Sequence, residues 1–122
     1  NHSSAASDVY KRQLIFFVFI QVRENFMTVM VMLDFDIKEG KLDEFLGILE
    51  QTLPETRAYN GCLFLKTCVY ENQNKICLVE EWETKKHQEE YFSWRVSTGL
   101  TEAIEPYVSD VATTYMDVKQ SY

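Results

Sequence analysis

The pattern of apolar residues predicts an α+β domain: a four-stranded antiparallel sheet with its helices on one face. Three observations carry that prediction. Runs rich in β-branched, aromatic and aliphatic residues recur at 28–37, 62–70, 75–82 and 109–118. Between the first and second run, and again between the third and fourth, helix-forming segments intervene. The second and third runs are separated by the polar stretch Glu71-Asn72-Gln73-Asn74, which marks a hairpin.

Thr28 to Ile37, TVMVMLDFDI, partly alternates, with Asp34 and Asp36 on one side and Leu33, Phe35 and Ile37 on the other; it is the first strand. Lys38-Glu39-Gly40 makes the turn. Leu42, Phe45, Leu46, Leu49 and Leu53 then recur at helical spacing, and one apolar stripe means one buried face. Pro54 has no backbone N–H and is expected to bend or end this helix before 55–59, and Asn60-Gly61 stops the element. Cys62 to Tyr70 and Lys75 to Trp82 are the hairpin strands. If Tyr70 and Lys75 flank the turn, Cys68 and Cys77 fall opposite each other; opposed cysteines can come close enough to oxidise, although most such pairs inside cells simply pack. Thr84 suits the N-cap of a second helix that runs to about Val96. A short amphipathic piece, Leu100 to Ile104, ends at Pro106, and Ser109 to Val118 has the composition of a closing strand. The resulting order, βαββαβ, is the ferredoxin-like arrangement, in which the helices cover one side of the sheet. Val29, Val31, Phe64 and Val79 place apolar groups on both faces. The open face therefore calls for a partner, the simplest being a second copy on a two-fold axis.

The whole chain has 122 residues, of which 46% are hydrophobic and 14% aromatic, enough for one core. Its formal charge is −7. Residues 1–26 hold Lys11, Arg12 and Arg23 against Asp8 and Glu24, a net of +1, which leaves −8 for 27–122. Such a balance argues against nucleic acid or an anionic membrane surface as a partner, since both require clustered Lys and Arg. Cys62, Cys68 and Cys77 are odd in number and lack metal-ligand spacing, so reduced thiols in a cytoplasmic protein are expected, with no metal site.

Residues 1–26 are set apart as a non-domain segment, an artefact or an extension, and 27–122 as the domain. Asn1 to Gln13 is polar and aperiodic; Leu14 to Ile20, LIFFVFI, is apolar but too short to span a bilayer. No small-residue cleavage site follows before Arg23 and Glu24, which argues against a signal peptide. Asp8 to Gln13 is the translation of GATGTGTATAAGAGACAG, which resembles a transposase adapter used in sequencing libraries. On that reading Met27 or Met30 is expected to be the natural start.

Four blocks in order, a first strand ending in IKEGK, a helix ending in ETRAYNGCL, the strand LVEEW and the helix YFSWR followed by Gly99, resemble the antibiotic biosynthesis monooxygenase family. The resemblance covers about Met27 to Val118. It implies a ferredoxin-like domain that pairs its sheet with that of a second copy in a dimeric α/β barrel. It also implies oxidation of phenols, quinols or polycyclic aromatics by molecular oxygen without metal, flavin or haem. Many members carry a His on the second helix where Tyr91 stands here; the nearest, His87, lies one turn earlier. The Asn, Trp and His set of haem-degrading relatives is not present.

The residues suited to chemistry cluster between Leu78 and Gly99. His87, Tyr91 and Trp94 share one helical face by their spacing of four and three. Glu80 and Glu81 point to opposite faces of their strand, so one of them faces the core or the dimer barrel. A carboxylate in a dry pocket rises in pKa and becomes a general base, whereas an ion pair with Arg57 or Arg95 would tie strand to helix. Tyr91, Arg95 and Glu81 are the expected catalytic residues, with Tyr91 able to donate to a developing oxyanion. Trp82, Trp94, His87, Phe64 and Phe35 are expected to shape the substrate pocket, although His87 sits among Lys85, Lys86, Glu89 and Glu90, which also suits a surface position. The expected activity is a cofactor-independent monooxygenation of a small hydrophobic aromatic, quinol-like or enolisable metabolite. The alternative is a non-catalytic dimeric ligand-binding or stress-response domain of the same fold.

Overall fold

The computed structural model of the chain describes residues 2–25 and 27–122, with side chains at 7–18 and 27–122. The described residues form α1 (His2–Asn25), β1 (Val29–Ile37), α2 (Leu42–Arg57), β2 (Cys62–Val69), β3 (Lys75–Trp82), α3 (Lys85–Ser97), α4 (Leu100–Ile104) and β4 (Val108–Asp117). The four strands make one sheet in the order β2-β3-β1-β4, and all three pairings are antiparallel. This is the ferredoxin-like α+β fold that the element order predicts.

The alternation of β1 decides which side is covered. Val29, Val31, Leu33, Phe35 and Ile37 are buried on the helix side, while Asp36 on the other side is exposed. Cross-strand pairing carries that polarity into β3: Leu33 faces Leu78, Val31 faces Glu80 and Val29 faces Trp82, so these residues also lie beneath the helices. From α2, Phe45 and Leu49 complete the core, and from α3, Tyr91. Trp82 and Phe45 are fully enclosed, and burial of such a side chain is worth roughly 2–3 kcal/mol. On the helix-free side the same register collects Met30, Met32, Val79, Met116 and Phe64 around Glu81.

Two departures from the sequence reading concern helices. Pro54 neither ends nor replaces the last turn of α2, which runs on to Arg57 and closes with the Ala58 N–H on the Pro54 carbonyl at 3.1 Å. The ring costs one N–H bond, but the turn beyond it is held by Thr56, which is buried against α3. Residues 2–25, to which the sequence assigns no element, are helical, and Leu14 to Val18 are exposed there. Among the described residues no helix is long and apolar enough to cross a membrane.

A bulge shifts the β2–β3 register between Cys62 and Phe64, so that Cys62 pairs with Trp82 but Phe64 pairs with Glu81. Just before it, Gly61 has φ +91° and lies so close to His87 that a Cβ would stand 2.5 Å from the imidazole Cγ. Only glycine fits there.

Candidate functional site

Between the sheet and the helices α2, α3 and α4 lies a cavity of about 330 Å³, a size suited to a small molecule. Leu33, Phe35 and Leu78 form its floor, Phe45, Leu49 and Leu53 one wall, and Phe92, Leu100 and Ile104 the other. Its polar groups are few: Glu80 from β3, Thr52 and Thr56 from α2, Tyr91 and Arg95 from α3, and Thr101 from α4.

Glu80 is 2% exposed. Trp82, two residues on and therefore on the same face, donates its indole N–H to Glu80 Oε1 at 2.7 Å. No other hydrogen bond reaches this carboxyl among the described residues, yet no buried side-chain oxygen there lacks a partner. The second oxygen is therefore the part of Glu80 left accessible, and the cavity that Glu80 lines is where it opens. Burial pushes the carboxyl up from its ordinary 4.5 to about 7, and the Trp82 bond pulls the other way. A carboxyl poised near neutrality takes and returns a proton at physiological pH.

Tyr91, Arg95 and Thr56 form the second polar group. Arg95 Nε donates to the Tyr91 hydroxyl at 2.7 Å, and its Nη2 reaches Thr56 Oγ1 at 3.3 Å and the Thr52 carbonyl at 3.4 Å. Thr56 and Tyr91 share a further bond of 2.5 Å, in which either hydroxyl can donate. A guanidinium only donates. One of the two hydroxyl hydrogens is therefore used between Thr56 and Tyr91, while the other has no acceptor among the described residues and is free for an oxygen entering the cavity. Arg95 Nη1 lies 3.7 Å from Glu55, and the guanidinium also stacks over Trp94 at 4.8 Å. Its carboxylate partner thus comes from α2, not from the Glu80 to Glu83 stretch. Arg57 instead donates to the Cys62 carbonyl at 2.8 Å.

Of the residues singled out by sequence, Tyr91, Arg95 and Phe35 meet in this cavity, and Trp82 supports it through Glu80. Glu81 does not: it points to the helix-free face, where Thr28 donates to it at 2.6 Å, and the carboxylate of the cavity is Glu80. Phe64 lies on that same outer face, opposite Glu81. Trp94 packs on the outer side of Tyr59, with ring centres 5.5 Å apart, and does not line the cavity. His87 belongs to the start of α3. Its backbone N–H and its ring both engage the Thr84 hydroxyl, and its ring fills the space over Gly61. Thr56 was missed because it follows Pro54, where the helix was expected to fail. A polar β-branched residue on the stripe that begins with Leu42, Phe45 and Leu49 is the signal that points to it. Among the described residues, no group of three or more His, Cys, Asp or Glu side chains is arranged to hold a metal ion.

The site is thus an apolar chamber inside a ferredoxin-like domain, lined by one buried carboxyl and by a hydroxyl and guanidinium cluster. Residues 28–105 match the sequence profile of the antibiotic biosynthesis monooxygenase family, and the chain belongs to that family. The fold is similar to that of a protein from Shewanella oneidensis, with 18% identity over 77% of this chain and 93% of the other at a TM-score of 0.67. A protein from Deinococcus radiodurans, described as a candidate antibiotic biosynthesis monooxygenase, shares 16% identity over 77% of this chain and 95% of its own, at a TM-score of 0.68. A dimeric ferredoxin-like protein from an uncultured marine organism shares 18% identity over 79% and 91%, at 0.64. No curated protein matches the chain significantly in sequence.

Proposed function

We propose that this protein is a monooxygenase that acts without a cofactor on a small, largely apolar phenol, quinol or enolisable metabolite. The observation that carries the reading is that Glu80, with only Oε1 engaged by Trp82, lines the same apolar-walled cavity as the Tyr91, Thr56 and Arg95 donors. Glu80 takes the acidic proton of the substrate. The hydroxyl cluster and Arg95 stabilise the oxyanion that forms, and the apolar walls keep water from competing for it. An electron-rich anion can itself reduce dioxygen. For a phenol the balance is one ring C–H and the phenolic O–H oxidised to a quinone, with one oxygen atom entering the ring and the other leaving as water.

A second copy covering the helix-free face is part of this proposal, supported by Met30, Met32, Val79 and Met116 on it. So is residence in the cytoplasm, in keeping with three free cysteines. We take 27–122 as the functional domain and 1–26 as an artefact or an extension outside it.

Oxygen uptake by the purified protein on a panel of quinols and phenols tests the activity. Turnover that is lost in Tyr91→Phe and Arg95→Ala, with the oligomeric state unchanged by light scattering, is the expected result. Thermal stabilisation by these compounds with no oxygen consumption would overturn it in favour of a binding domain.

A further inference from the structure

A second reactive feature lies on the opposite side of the sheet, independent of the cavity. Cys68 on β2 and Cys77 on β3 are direct cross-strand partners, and both thiols are free. Directly opposed residues send their side chains to the same face. The strand end fixes the kind of pair. The Tyr70 N–H donates to the Lys75 carbonyl at 3.0 Å, so Tyr70 and Lys75 are a hydrogen-bonded pair. Two residues along each strand, Cys68 and Cys77 are then one as well. Such pairs have Cα atoms about 5.5 Å apart, inside the roughly 4.4–6.8 Å of a disulfide. Their Cβ atoms, however, stand at the wide end of about 4.5–5.5 Å, beyond the roughly 3.5–4.5 Å of a relaxed one. Closing the bond therefore draws the two strands together and leaves it strained and readily reduced.

The two sulfurs differ in surroundings. Cys68 is exposed, whereas Cys77 is buried. Burial, and next the Asp34 carboxylate paired with it across β1, push the Cys77 thiol up. Tyr70 donates to the same Asp34 at 2.5 Å. Cys68 is on edge strand β2, in the same-face pair next nearer the hairpin than Lys66 and Val79, and so past the Met30, Met32, Val79 and Met116 patch assigned to the second copy. An oxidant from solvent therefore meets Cys68 first, and Cys77 stands beside it, shielded, as the second thiol. We propose that Cys68 and Cys77 are an intramolecular redox pair, closed to a cross-strand disulfide by hydroperoxides.

The steps balance. A hydroperoxide ROOH transfers one oxygen to the Cys68 thiolate, giving the sulfenic acid and ROH. The Cys77 sulfur then attacks the Cys68 sulfur and displaces the hydroxyl, which leaves as water. Two thiols are oxidised, the peroxide is reduced, and the bond that closes pins edge strand β2 to β3.

The test uses the full chain, reduced, freed of reductant and exposed to hydrogen peroxide, then alkylated and weighed intact and after digestion. Two of three thiols becoming resistant to alkylation, with Cys68 and Cys77 in one linked peptide, and full reversal by mild reductant, are expected. Cys62→Ala should form the same link, and Cys77→Ala should stop at the sulfenic acid, trapped by a dimedone-type reagent. Cys68→Ser, an exposed substitution, should lose the link and keep its fold. Alkylation of all three thiols after peroxide, a link through Cys62, or a Cys68 link between two chains would each overturn the proposal.

Discussion

Replacing Glu80 by Gln separates the stability of the fold from the chemistry of the cavity. Gln keeps the volume and an acceptor for the Trp82 indole, but it carries no proton that titrates. In the wild type, burial raises this carboxyl from 4.5 to about 7. The folded state therefore binds the proton more tightly than the unfolded state does, and stability contributed by protonation is lost as pH rises through that interval. At 1.36 kcal/mol per pKa unit, the penalty for the buried charge is about 1 kcal/mol at pH 5 and about 3 kcal/mol at pH 8, and it vanishes below 4.5. Urea unfolding of both proteins at one fixed protein concentration reads the difference directly. Glu80→Gln should gain on the wild type between pH 5 and 8 by about 2 kcal/mol, while oxygen uptake disappears. Parallel stability profiles over that range would show that Glu80 titrates as an ordinary surface carboxyl, and the general-base argument would fail with it.

Trp82→Phe removes the one donor to Glu80 Oε1; the carboxyl should rise further, visible as an upward move of the acidic limb of the pH–rate profile, and the smaller ring should cost about 1–3 kcal/mol by urea unfolding. Arg95→Ala strips Tyr91 and Thr56 of their cationic partner and should destabilise by roughly 2 kcal/mol, with Arg95→Lys recovering only part because an ammonium lacks the planar fork. Gly61→Ala forces a side chain into positive φ and into the His87 ring, for a loss of about 2–4 kcal/mol. Adding His87→Ala should return the steric share and leave the backbone share, a non-additivity that a double-mutant cycle measures.

The strands were legible because their periodicity is a consequence of burial on one face, and β3 begins at Lys75 and ends at Trp82 as the pattern reads. The N-cap at Thr84 was legible for a similar reason, since its hydroxyl meets the His87 N–H as the local rule requires. The choice between Glu80 and Glu81 was not. Alternation separates the two, but which one lies beneath the helices depends on pairing with Val31, a fact of register that one strand does not contain. Trp82 was the overlooked guide: a large ring ends on the core side and takes the residue two before it along. Thr56 was hidden by a local rule, the expectation at Pro54, which tertiary packing overrides.

The extra residue at Leu63 is absorbed where it stands. Cys62 and Phe64 take the neighbouring partners Trp82 and Glu81 with Leu63 left between them, so every side chain from Phe64 to Val69 keeps the facing that an unbroken ladder would give it. Deleting Leu63 would close the bulge and still leave Phe64 across from Glu81 and Cys68 across from Cys77. What would be lost is the bend that the extra residue puts at the start of β2, beside Gly61, where the entering chain meets the His87 ring. One codon thus shapes the approach to this small sheet and leaves both of its chemistries in register.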